Sequence, residues 1–185
     1  MEEEKKNREE SLNNIVQIEM AMFQQVRTIE PSLCQERVET FKAMREMTHS
    51  VLSTETLESY LNDLRKAESE GRNLLRDKYA RMQDLVPPLK TNPVIDKICE
   101  FETRWMMKLS VKFPKTFQAG PNFGNYLSCE LETYSDRTIN FYFRDVLKAD
   151  YEGMNLAEER YAKLAKGLGY NSLDHMVEAT LQKST

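Results

Sequence analysis

The chain has 185 residues, 40% of them apolar and 30% charged, with a net charge of −4. That length fits one domain with a sizeable core. Lys and Arg alternate with Asp and Glu along the whole chain, so the concentrated basic face of a nucleic-acid binder is missing. No apolar run approaches the roughly 20 residues that span a bilayer, and six Gly and six Pro are too few for a turn-rich β-sandwich.

The start, Met1 to Lys6, has no apolar core of a signal peptide. A first helix is expected from about Glu3 to Thr28, with Ile15, Ile18, Met22 and Val26 at three- and four-residue steps. Glu30-Pro31 ends it. Ser32 and Gln35 have capping-box spacing for a second helix, which carries Val38, Phe41, Met44, Thr48 and Val51 on one face.

From Thr54 to Leu85 the apolar positions keep one helical phase, which predicts a single long helix, bent at Gly71 at most. Pro87-Pro88 stops it. Asn92-Pro93 is an N-cap with proline at the first helical position, opening a helix through Ile95, Ile98, Trp105 and Leu109. Residues 112–125 form the longest irregular loop and carry Phe113, Phe117 and Phe123, which makes it the candidate functional loop. A short helix is expected around Tyr126 to Thr133. Ser135 then caps a second long helix to about Lys166, Gly167-Leu168-Gly169 ends it, and Ser172 caps a last helix over residues 173–182.

The two long segments match. At an offset of 82, Tyr60, Asp63, Lys66, Ala67, Glu70, Gly71, Asn73, Leu74, Tyr79 and Ala80 recur as Tyr142, Asp145, Lys148, Ala149, Glu152, Gly153, Asn155, Leu156, Tyr161 and Ala162. Ile15, Ile18-Glu19 and Met22-Phe23 echo Ile98, Phe101-Glu102 and Trp105-Met106 one residue further apart. The expected architecture is all-α. It is a duplicated bundle in which halves of about 10–88 and 92–170 are related by a pseudo-twofold axis, with the 172–182 helix added.

Two features of the repeat make opposed predictions. Gly71 and Gly153, four residues after Ala67 and Ala149, could mark a close crossing of the two long helices. Alternatively they are C-caps of shorter helices, exposed and at positive φ. The arc of Asp63, Lys66, Glu70 and Asn73, repeated as Asp145, Lys148, Glu152 and Asn155, spans roughly 80° of a helix. It reads as a solvated face rather than a binding face.

The strings Ser59-Tyr60-Leu61-Asn62-Asp63-Leu64, Gly71-Arg72-Asn73-Leu74-Leu75, Lys78-Tyr79-Ala80-Arg81-Met82, Cys34-Gln35 and Glu130-Leu131-x-Thr133-Tyr134-Ser135 resemble an uncharacterised bacterial family. It is catalogued as domain of unknown function 4125. The resemblance runs from about Ile15 to Leu173. Members usually carry Trp where this chain has Met20, and the loop near Lys115 to Asn125 is shorter than theirs. The resemblance supports one fold for the whole chain and implies no activity.

Three constellations could carry chemistry. Cys34 follows a Ser32 cap, where free amides and the helix dipole lower a thiol pKa, so it is the candidate nucleophile. His49 lies about four turns further along that helix, out of its reach, and a buried structural cysteine is the favoured reading. The odd number of cysteines, Cys34, Cys99 and Cys129, without C-x-x-C spacing, fits free thiols in a reducing cytoplasm. Glu46-x-x-His49 with Glu19 and Glu102 gives part of a di-metal carboxylate set but lacks a second E-x-x-H pair. No metal or cofactor is therefore expected.

Arg45, Tyr60, Arg72, Lys78, Arg81 and Tyr134 make the third set, suited to holding a small anion between the halves by guanidinium and phenol contacts. The leading functional expectation is a cytoplasmic domain that binds a small anionic metabolite there, with or without catalysis. An interaction or homodimerisation module is the alternative and a metal-dependent oxidoreductase the third. No nucleic acid or membrane partner is expected.

Overall fold

The computed structural model describes residues 2–26, 38–117, 120 and 122–183. Cys34 and the Ser32–Gln35 capping box lie outside the described residues. Those described are helical and contain no strand. In chain order the helices are α1 (Glu2–Gln24), α2 (Val38–His49), α3 (Thr54–Ser69), α4 (Leu74–Met82) and α5 (Pro93–Lys112). Then follow α6 (Phe123–Leu131), α7 (Asp136–Tyr151), α8 (Leu156–Gly167) and α9 (Leu173–Lys183).

The helix starts are set locally. Ser53, Asn73, Asn92, Ser135 and Asn155 each turn a side-chain oxygen onto an amide of the first turn, satisfying a donor that the helix cannot. Pro93 fits the first turn of α5, where no amide hydrogen is needed.

The helix ends correct the expectation of two long helices. Each splits in two. Gly71 has φ +68° and Gly153 φ +70°, both are exposed, and no atom lies within 4 Å of where a Cβ would stand. Arg72 N–H donates to Ala67 O and Gly71 N–H to Glu68 O, while Met154 N–H donates to Ala149 O and Gly153 N–H to Asp150 O. These are Schellman closures, in which left-handed backbone lets the chain reach back over its last carbonyls. The close-crossing model of the glycines is thereby overturned. Ala67 and Ala149 are buried beside the closures. The apolar phase continues across each break because both short helices flank the same core.

α1 packs on α2, α3 and α4, and α5 packs on α6, α7 and α8. Across the middle α3 meets α7, α2 meets α8, and α4 meets α6. The core runs through these contacts and includes Ile15, Leu57, Leu64, Ile98, Trp105, Leu131 and Ile139, all fully buried. A smaller core under α9 joins Leu109, Phe117, Leu173 and Val177, with Phe113 and Tyr161 packed against it. Two aromatics of the 112–125 loop are therefore structural, and its third, Phe123, opens α6.

The polar arc divides, its aspartates and asparagines holding neighbouring helices while its lysines and glutamates make the expected solvated face. Asp63 Oδ2 accepts from Ser135 N–H (2.9 Å) and from Thr138 Oγ1 (2.6 Å). Asp145 Oδ2 accepts from Ser53 N–H (2.9 Å) and from Thr56 Oγ1 (2.6 Å). Each aspartate thus holds the start of the helix opposite. Asn73 Nδ2 donates to Met22 O and Asn155 Nδ2 to Trp105 O, anchoring α4 to α1 and α8 to α5. Lys66 and Glu70, by contrast, are exposed.

Candidate functional site

Two buried ion networks lie where the halves meet. In the first, α1 turns Glu19 inward from a face otherwise built of Ile15, Met22 and Phe23. α2 turns Arg45 and His49 inward, one turn apart, alongside Met47, so polar side chains share a buried face that was expected to be apolar. The Arg45 guanidinium grips Glu19 with both prongs, Nε to Oε2 at 2.8 Å and Nη2 to Oε1 at 2.6 Å. It also donates to Glu130 of α6, from Nη2 to Oε1 (2.8 Å) and from Nη1 to Oε2 (3.2 Å). Lys78 of α4 pairs with Glu130 and stands 3.5 Å from the centroid of the Tyr126 ring. Tyr60 donates to Glu19 (2.7 Å) and Tyr134 to Glu130 (2.9 Å), with the two rings packed at 4.2 Å.

The two hydrogens on Arg45 Nη2 are committed to the two glutamates, so His49 meets Glu19 as a donor from Nε2, at 3.1 Å. That leaves its buried Nδ1 without a partner among the described residues.

Two carboxylates, Glu19 and Glu130, face the cations Arg45 and Lys78 here. Burial pushes the Glu19 carboxyl up, but Arg45 and His49 outweigh it and bring its pKa down to about 2. Burial acts likewise on Glu130, and Arg45 and Lys78 hold it well below the ordinary range. Burial first, and the adjacent carboxylates second, raise the Tyr60 and Tyr134 hydroxyls well above theirs.

The second network is smaller. Glu102 of α5 receives both prongs of Arg160 of α8, each at 2.6 Å, and the Tyr142 hydroxyl of α7 at 2.9 Å. Arg160 also donates from Nη2 to Tyr142 Oη (3.0 Å) and from Nε to Thr48 O (3.2 Å). Burial and Glu102 raise the Tyr142 hydroxyl.

Between the networks lies a cavity of about 240 Å³. Met44 and Met47 of α2, Met106 of α5, Phe123 and Leu127 of α6 and Ala157 of α8 form its apolar wall. Arg45, Glu130, Glu102, Arg160 and Tyr142 form the polar one. The methionines suit an adaptable lining.

Of the six sequence-selected ligand residues, the structure gathers Arg45, Tyr60, Lys78 and Tyr134 into the first network. It leaves two outside. Arg72 is half-exposed at the Gly71 turn and pairs with Asp77 (3.3 Å) and Glu70 (3.7 Å). Arg81 pairs with Glu132 and Asp84, both at 3.1 Å.

The suggested metal set does not assemble either. Glu19 and His49 meet, but Glu46 is exposed and Glu102 belongs to the other network. Among the described residues no group of three or more His, Cys, Asp or Glu is placed to hold an ion. Cys99 and Cys129 are free thiols, and burial pushes Cys99 up to about 12, which makes it a poor nucleophile.

Sequence reasoning missed Tyr142 and Arg160 as site residues. The repeat held the signal: the offset of 82 carries Tyr60 to Tyr142 and Lys78 to Arg160.

Fold and site define an all-helical protein with paired glutamates on α1 and α5, each buried under an arginine fork and a tyrosine hydroxyl, the α5 glutamate lining a cavity. The chain belongs to the family described as Protein of unknown function (DUF4125), whose model matches residues 9–178. No curated protein matches it, and no solved structure does. No helix among the described residues is long and apolar enough to cross a membrane.

Proposed function

We propose that this protein binds a small metabolite with an anionic head in the cavity between its two ion networks. The observation that carries the reading is the cavity itself: about 240 Å³, mainly apolar, with two buried arginines in one wall. Its size is below the roughly 300–1,000 Å³ of pockets for drug-sized ligands. Both arginines are already held by carboxylates, so they are fixed in orientation before any ligand arrives. Free thiols at Cys99 and Cys129 fit a cytoplasmic location.

A thermal-shift screen of small carboxylates and phosphates tests the reading. Stabilisation by at least one, abolished by Met44→Trp at the cavity wall, is expected. No stabilisation across a broad panel would end it.

The halves read best as copies of one helical unit about an approximate twofold axis. Supporting this are the exchanged aspartate caps, the Tyr60–Glu19 and Tyr142–Glu102 pairs, and the Asn73 and Asn155 anchors. Asp63→Ala and Asp145→Ala should then cost similar amounts, about 1–2 kcal/mol each in denaturant unfolding. Costs differing severalfold would count against it.

One observation favours an interaction module instead. Met107, Val111 and Tyr151 are 56%, 81% and 93% exposed, close in sequence to the Arg104–Asp150 pair that ties α5 to α7. Light scattering decides: a monomer at high concentration removes the homodimer.

A further inference from the structure

The hydrogen-bonding capacity left over at the cavity wall narrows the ligand class, on the assumption that the cavity is the binding site. Arg45 has five N–H donors. Its Nε hydrogen goes to Glu19, both Nη2 hydrogens go to glutamate oxygens, and one Nη1 hydrogen goes to Glu130. One Nη1 hydrogen remains. Arg160 has the same account: Nε serves Thr48 O, Nη2 serves Glu102 and Tyr142, and Nη1 spends one hydrogen on Glu102. One Nη1 hydrogen again remains.

The acceptors are not equally filled. Glu130 takes Arg45 and Tyr134 on Oε1 and Arg45 and Lys78 on Oε2, which saturates it. Glu102 takes Tyr142 and Arg160 on Oε1 but only Arg160 on Oε2. That oxygen keeps one free lone pair.

The residues lining the cavity therefore hold two unspent cationic donors and one unspent anionic acceptor, and their full charges cancel: Arg45 and Arg160 against Glu130 and Glu102. A simple carboxylate would satisfy the donors, yet it would bring an uncompensated charge into a neutral site and leave Glu102 Oε2 unused. A simple amine has the converse fault. A molecule carrying a carboxylate and an ammonium on neighbouring atoms, with an apolar body for the methionine-lined wall, meets every condition.

We propose that the ligand is an α-amino acid with an apolar side chain. Its carboxylate accepts from the free Nη1 hydrogens of Arg45 and Arg160, and its ammonium donates to Glu102 Oε2.

Isothermal titration calorimetry of the full chain tests this with L-leucine, L-methionine and L-phenylalanine. The comparators are 4-methylpentanoate and 3-methylbutylamine, which are leucine without its ammonium and without its carboxylate. At least one amino acid should bind tenfold or more tighter than either comparator. Glu102→Gln, which keeps the shape of the side chain, should remove the preference over 4-methylpentanoate. If that variant does not fold, Met44→Trp serves in its place and should abolish amino-acid binding. Binding of 4-methylpentanoate as tight as leucine overturns the zwitterion and leaves the anion reading of the cavity standing. Silence from every probe, together with no hit in the wider anion screen, overturns both.

Discussion

Glu19 and Glu102 occupy matching places on α1 and α5, and each takes a tyrosine hydroxyl from the helix that follows a serine cap. They differ in where the cation comes from. Glu102 is served by Arg160 of α8, and that pair closes on itself with Tyr142. The residue matching Arg160 in the first half is Lys78, which pairs with Glu130 rather than Glu19. Glu19 takes its guanidinium from α2 instead, and Arg45 bridges to Glu130 of the other half. A change of one cation is thus accompanied by a different topology: a closed pair on one side and a network shared by five helices and both halves on the other. The closed pair leaves a free lone pair on Glu102 at the cavity, whereas Glu130, the glutamate that the shared network presents to the same cavity, is filled on both oxygens.

The largest expected effects break these networks. Arg45→Met and Arg160→Met each leave buried carboxylate charge uncompensated and should cost about 3–5 kcal/mol in urea unfolding. The second substitutions separate the two topologies. Adding Glu102→Leu to Arg160→Met removes the whole pair and should regain most of the loss. Adding Glu19→Leu to Arg45→Met should regain less, because Glu130 still lacks the donors that Arg45 gave it. Equal recovery on both sides would show that the bridge to Glu130 carries no energy.

Acid gives the next effect. A carboxylate whose folded pKa is lowered stabilises the fold above its unfolded pKa, and that contribution is lost as pH falls through the folded value. For Glu19, at about 2 against an ordinary 4.5, the window runs from about pH 5 down to pH 2, with on the order of 3 kcal/mol at stake. Glu130 acts in the same direction. Urea midpoints should fall steadily across that window, and Glu19→Gln should flatten the slope. A wild-type midpoint unchanged between pH 5 and 2 would contradict the lowered value.

The smallest effect concerns positions where the halves agree. Gly71→Ala and Gly153→Ala meet open space, so neither clashes, but each forces an alanine into left-handed backbone. A cost of about 1 kcal/mol is expected at both sites. Stabilisation by either change would mean that the Schellman closures are absent in solution.

Much of the helical framework was legible because the signals for it are local. Asn92-Pro93, Ser135 and Ser172 each sit at a helix start, where the side chain caps an amide within three residues. The breaks at Gly71 and Gly153 are visible as residues, but the string leaves two readings open, a close crossing of long helices and the C-caps of shorter ones, and only the second holds. Apolar phase records which face meets the core, and two short helices on one core can keep phase across a turn. The site was half legible: Arg45, Tyr60, Lys78 and Tyr134 stood out, whereas Arg72 and Arg81 looked the same in sequence and lie at the surface.

By itself, the sequence determined that the chain is helical, where most helices start, and which segments match at an offset of 82. Each of these depends on contacts spanning a few residues or on a direct comparison of strings. Only the tertiary structure decided that Asp63 and Asp145 cap the helices opposite, that Arg45 rather than Lys78 serves Glu19, and that Glu102 keeps a free lone pair beside a cavity. Those outcomes turn on which faces of distant helices are brought within hydrogen-bond distance, about 3 Å, and a buried charge takes whichever partner the packing supplies.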